Sequence, residues 1–203
     1  MIAKARHIAV LAVALSLPMQ AQAIVPATLQ DCMKQAEALP DIAAANAELW
    51  GKNGGGQDAA LCHAHADFRR GEFEAAGDQF AKLAADDSLL DKKKILALHI
   101  EAGQAYSRAQ KAKQAEREFS MALAVEPENP DILYDRAIAR AADQRYWDAV
   151  ADVGKALQIK PENPLALRLR GQIWVKMGNN AMAEQDFLAA ERLDPSPVPV
   201  DKK

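Results

Sequence analysis

The chain has few aromatic residues, 5% of its 203 positions, and β-branched residues are sparse. Local propensity therefore favours helix nearly throughout and gives no reason to expect a sheet. No dense Lys or Arg run occurs and the formal charge is only −3. Neither a nucleic-acid groove nor an anionic membrane surface is implied. Lys52 to Gln57 holds three glycines but lacks the Gly-x-x-x-x-Gly-Lys-Ser/Thr order of a phosphate cradle, so it reads as a flexible inter-helix loop. There is no Gly-x-Ser-x-Gly elbow, no His-Glu-x-x-His helix and no Cys-x-x-Cys-His string. Hydrolase and haem chemistry have no visible carrier, no cofactor is implied, and the chain reads as non-catalytic. An enzyme with an unrecognised site would need convergent titratable groups that the sequence does not display. Acid pairs such as Asp86 and Asp87, or Glu116 and Glu118, read as solvated faces.

Long apolar runs are missing too. The longest, the ten residues from Ile8 to Leu17, falls short of the roughly 20 that span a bilayer. It follows Lys4 and Arg6 and precedes Ala21-Gln22-Ala23, the small residues behind which signal peptidase cuts. The reading is a signal peptide over 1–23, a mature start at Ile24, and no membrane insertion after cleavage. Without a Cys at the cut, a bacterial lipoprotein is not expected. Losing Lys4 and Arg6 would take the net charge from −3 to −5. The style of the signal suggests an exported, periplasmic protein.

Only two cysteines remain, Cys32 and Cys62. Export makes them a disulfide candidate, and two buried thiols packing as small hydrophobes is the alternative. Leu61-Cys62-His63-Ala64-His65 resembles a metal site at first sight. On a helix Cys62 and His65 share a face while His63 points nearly opposite, so two ligands converge and no third sits at usable spacing.

What is present is repetition. Glu126-Pro127-Glu128-Asn129-Pro130 returns as Lys160-Pro161-Glu162-Asn163-Pro164, 34 residues on, and another 34 reach Pro195. Before Pro195 stand Gly171, Trp174, Gly178, Ala183, Phe187 and Ala190. At the same offsets before Pro161 stand Ala137, Arg140, Gln144, Ala149, Val153 and Ala156, and before Pro127 stand Gly103, Tyr106, Gln110, Ala115, Phe119 and Ala122. Small residues let two helices approach, and a large residue about a turn away fills the gap. Each unit is thus a helical hairpin turning near Gln110, Gln144 or Gly178. Asn129 and Asn163 are suited to cap the next helix, whose first position is a proline.

This 34-residue pattern resembles the tetratricopeptide repeat family over residues 96–197. The resemblance implies an all-α, right-handed superhelical solenoid of antiparallel hairpins. Units would cover 96–129, 130–163 and 164–197, with a tail over 198–203. Arg140, where a large aromatic is usual, departs from the pattern; its stem could pack while its head reaches solvent. Upstream, Gly71, Phe73, Ala76 and Phe80 suggest a degenerate repeat over 57–95, with extra residues around Leu89 to Lys93. A degenerate hairpin would fill 24–56. A Cys32–Cys62 bridge would pin its first helix to the first helix of the next hairpin, as a cap for the array.

The resemblance also implies a protein-protein interaction scaffold that docks a partner protein or peptide in a concave groove lined by first helices, and the expected signal peptide would place that scaffold in the bacterial cell envelope. The inward positions carry over onto Leu61, His65, Phe68 and Arg69; Ile100, Gln104, Ser107 and Arg108; Asp131, Tyr134 and Ile138; and Arg168, Gln172, Val175 and Lys176. Arg69, Arg108, Arg168 and Lys176 are read as partners for acidic groups, with Phe68, Ile100, Tyr134 and Ile138 offering apolar contact. The C-terminal-carboxylate clamp of chaperone-binding members is absent, because its positions hold residues such as Ile100, Gln104, Asp135, Leu165 and Leu169. The alternative is a structural or assembly subunit with convex or end-to-end contacts. Trp147 is expected to lie half-buried between hairpins or else to form a convex contact. The face carrying Phe187 and Leu188 is expected to be partly exposed, covered by the tail, or buried in a homo-oligomer.

Overall fold

The computed structural model describes residues 26–86 and 91–195. The expectations for the signal peptide, for Ile24 as the mature start and for the tail lie outside these residues. Ten α-helices make up the described chain: α1 Leu29–Ala38, α2 Pro40–Trp50, α3 Gly56–Arg70, α4 Phe73–Ala84, α5 Lys92–Arg108, α6 Ala112–Val125, α7 Pro130–Ala142, α8 Tyr146–Ile159, α9 Pro164–Lys176 and α10 Asn180–Leu193. No strand occurs among the described residues. Each helix packs on the one before it, and the first helices of successive hairpins touch as α1 on α3, α5 on α7 and α7 on α9. The result is an all-α solenoid.

The hairpins close in one way. At Gly71, Gln110, Gln144 and Gly178 the backbone is left-handed, with φ of 84°, 59°, 62° and 78°. The next residue's N–H then reaches back to the last turn: Glu72 to Asp67 O, Lys111 to Tyr106 O, Arg145 to Arg140 O and Asn179 to Trp174 O, all at 2.8–2.9 Å. This hydrogen-bonded stop satisfies carbonyls that the helix end leaves open. Glutamine adopts that conformation at a cost that glycine avoids. Gln110→Gly and Gln144→Gly should each raise unfolding stability by about 0.5–1 kcal/mol in urea titration; a loss at both positions would contradict the strain account.

Helix starts follow from the asparagines. Asn129 Oδ1 accepts from Asp131 N at 3.1 Å and Ile132 N at 3.2 Å. Asn163 Oδ1 accepts from Leu165 N and Ala166 N, both at 3.1 Å. The adjoining Pro130 and Pro164 occupy first-turn positions where a missing N–H costs nothing.

Inside each hairpin the small and large positions interlock. A Cβ on Gly103 would lie 2.6 Å from the Phe119 ring, and one on Gly171 would lie 2.6 Å from the Phe187 ring. In the middle unit, Ala137 faces the same gap and Val153 replaces the ring, so the added methyl is matched by lost bulk.

The glycine string departs from the expected loop. Gly51–Gly55 is a π-helical turn that carries α2 into α3, kinked at Asn53 and at Gly54 with φ 94°. Trp50 fills the space a Gly55 side chain would need.

Cys32 and Cys62 are joined by a disulfide with their Cα atoms 6.0 Å apart. It ties α1 to α3.

Candidate binding groove

The first helices α3, α5 and α7, with Phe119 of α6, form an open hollow of ≈ 390 Å³ lined by Phe68, Gln104, Ser107, Arg108, Phe119, Asp135 and Ile138. Five of these, Phe68, Gln104, Ser107, Arg108 and Ile138, are among the inward positions carried over from the repeat pattern. Phe68 is fixed by an edge contact with Phe73, ring centroids 5.2 Å apart. The Arg108 guanidinium lies 6.0 Å from the Phe73 ring centroid. Ser107 Oγ is fully buried and has no hydrogen-bond partner. Asp135 is half-buried, and desolvation pushes its carboxyl above the ordinary range.

A second hollow, ≈ 170 Å³, lies nearer the N-terminus, where Leu61 and His65 of α3 face Lys94, Ala97, Leu98 and Glu101 of α5. His65 Nε2 is 3.7 Å from Glu101 Oε2. Burial raises the Glu101 carboxyl to about 7 and lowers His65.

The other positions distribute differently. Arg69 meets Glu37 at 3.9 Å. Arg168 donates to Asp194 Oδ2 at 2.8 Å and to its carbonyl at 2.7 Å, which closes the C-terminal end of α10. Ile100 and Tyr134 are half-buried, packed against the core, while Gln172 and Lys176 are exposed. Val175 lines a hollow with Phe187 and Leu188 of α10, whose side chains are 38% and 57% exposed.

Three sequence expectations are corrected. Trp147 is not half-buried: it is 70% exposed, its ring set edgewise against Trp174 at 5.8 Å. Arg140 does not send its head to solvent. It donates to Glu116 Oε1 at 2.9 Å and Asp152 Oδ2 at 2.7 Å, bridging α6, α7 and α8. The acids Glu116 and Glu118 are not a solvated pair either, since Glu118 is buried. Its carboxylate meets His99 Nδ1 at 2.8 Å and accepts from Arg117 at 2.9 Å. Burial pushes Glu118 up, but these bonds outweigh it and hold the group below the ordinary range.

Glu118 belongs to a series. Asp152 and Asp186 stand 34 and 68 residues later, both buried. Asp152 accepts a two-pronged contact from Arg136 at 2.8 and 2.7 Å, and Asp186 accepts the same from Arg170 at 2.8 and 2.6 Å. In the first regular unit the matching arginine position is Ala102, and His99, one turn earlier, supplies the contact instead. This row of buried acids was missed because acids on helices usually face water; their exact-phase spacing was the available signal.

No protein-family model matches the chain. It is 32% identical over 94 residues to the Hsp70-Hsp90 organizing protein of Triticum aestivum, a stretch that is 46% of this chain and 16% of that protein. Among solved structures it resembles MamA from Desulfovibrio magneticus RS-1, with a TM-score of 0.68 at 15% identity, covering 85% of this chain and 100% of that one. A MamA structure designated AMB-1 gives 0.64 at 20% identity, covering 84% and 91%. With its in-phase 34-residue units and interlocked hairpins, the chain carries a tetratricopeptide-like repeat pattern and shares the helical-hairpin solenoid fold of these structures.

Proposed function

We propose that the chain is a non-catalytic scaffold of the bacterial cell envelope that docks a partner's segment along its concave face. The observation that carries this reading is the hollow built jointly by α3, α5 and α7, because a surface spanning three hairpins exists only in the stacked array. The wheat relative is, as its name says, an organizing protein for Hsp70 and Hsp90. What carries over is the idea of bringing proteins together, without the carboxylate clamp. Export to the periplasm remains part of the proposal: it rests on the leader-like segment 1–23, and an oxidising compartment suits the Cys32–Cys62 bridge.

The second reading, an assembly subunit with end contacts, is favoured by the exposed Phe187 and Leu188 beside Val175. One experiment separates the two. A photoreactive residue is placed at Gln104 or at Leu188 and irradiated in intact cells. Groove docking predicts a heterologous adduct from Gln104 only. Adducts from Leu188 alone, between copies of the chain, would replace the groove reading with the assembly reading.

A further inference from the structure

We propose that the central hollow is an anchor pocket for a cationic side chain, lysine or arginine, of the docked partner, with its stem between Phe68 and Ile138 and its head on Asp135. The inference rests on the groove reading and adds the partner's chemistry. It reverses the polarity expected from sequence, in which groove cations were to meet an acidic partner.

Geometry carries the reversal. Of the four groove cations expected to receive acids, Arg168 is already held by Asp194, Arg69 lies beside Glu37, Lys176 is exposed away from this hollow, and Arg108 lines the hollow with its guanidinium 6.0 Å from the Phe73 ring centroid. Asp135, in contrast, has no cation within ion-pair distance among the described residues and shares the lining with the neutral amide of Gln104. A half-buried carboxylate with no ion-pair partner is under-compensated, and a positive charge delivered to it is the group that gains most there. Asp131, one turn earlier on α7, adds negative potential to the same spot, so an incoming carboxylate would be repelled by both.

The rest of the pocket fits the shape of a lysine or arginine. Both residues carry apolar stems that pack on hydrophobic surface and a polar head that seeks acceptors. Phe68 and Ile138 offer the apolar walls, and the unpartnered Ser107 Oγ lies in the same lining.

The test uses the whole chain and three pools of acetylated, amidated nonapeptides, random except for a central lysine, norleucine or glutamate. The expected result is binders from the lysine pool that lose about tenfold or more in affinity against Asp135→Asn and also weaken against Ile138→Ala. Asp135→Lys should move the preference to the glutamate pool. Circular dichroism checks that each variant is helical, and Ile138→Ala decides the matter if Asp135→Asn does not fold. Glutamate-pool binders lost on Arg108→Ala, or lysine and norleucine pools of equal strength, would overturn the cationic anchor and leave groove docking intact. Absence of binders from all pools, or binding indifferent to Asp135→Asn, Ile138→Ala and Phe68→Ala together, would overturn both.

Discussion

Asp152→Ala should lower the unfolding free energy by about 3–5 kcal/mol, the range for removing one member of a buried ion pair. Asp152 is buried and receives three charged hydrogen bonds, two from Arg136 and one from Arg140, whose side chains are themselves mostly buried. Removing the acid leaves two guanidinium groups facing each other across a half-dry site. The damage spreads beyond one hairpin, because Arg140 also holds Glu116 and Arg136 also reaches Ser120 on α6. Asp186→Ala, in a hairpin where one arginine faces the acid, should cost less. Urea denaturation of both variants checks this. A loss under about 1 kcal/mol for Asp152→Ala would mean that water replaces the lost carboxylate.

The Cys32–Cys62 bridge should have the other large effect. Closing a 30-residue separation restricts the unfolded chain by about 3.5 kcal/mol in the loop-entropy model. The hairpin it secures has little else. The buried residues of α1 are Cys32 and Ala36, and those of α2 are three alanines and Asn46. Asn46 is held by one hydrogen bond to Gln35 at 3.0 Å. Methyl-sized side chains bury little apolar area, so their hydrophobic contribution is small. Cys32→Ser combined with Cys62→Ser should therefore release α1 and α2 first, while α5 to α10 keep their protection. Amide hydrogen exchange reads this directly. Equal protection of α1 with and without the bridge would show that packing alone holds the cap.

How much was legible in the letters follows from range. The period, the turns at Gln110, Gln144 and Gly178, and the Asn-Pro starts depend on residues close in sequence. The Gly103 and Phe119 pairing is local to one hairpin and was visible for the same reason. The burial of Glu118, Asp152 and Asp186 depends on which face the neighbouring helix covers, and a charged letter on a helix is normally read as solvent-facing. Trp147 failed in the opposite direction: size suggested burial, but its place at the first turn of α8 leaves it uncovered. In the groove, five of the inward positions read from the repeat pattern line one hollow. Arg108, Arg168 and Asp135 are all written in the chain, yet Arg168 is taken by the end of α10, a contact 26 residues away.

The residues at the large position of each first helix have a consequence for assembly of the array. Tyr106 donates to Asp78 of α4 at 2.7 Å, and Arg140 donates to Glu116 of α6. Trp174 meets no acceptor: its buried indole N–H is unpartnered, and Val150 stands where the glutamate would repeat. Three joints therefore differ: phenol on acid, guanidinium on acid, and a buried indole with no acceptor. A hairpin placed in the wrong slot would strand a carboxylate or a guanidinium against the wrong neighbour. Units that look interchangeable in pattern are keyed to one order, which protects a repetitive chain against slipped stacking and exchange between copies.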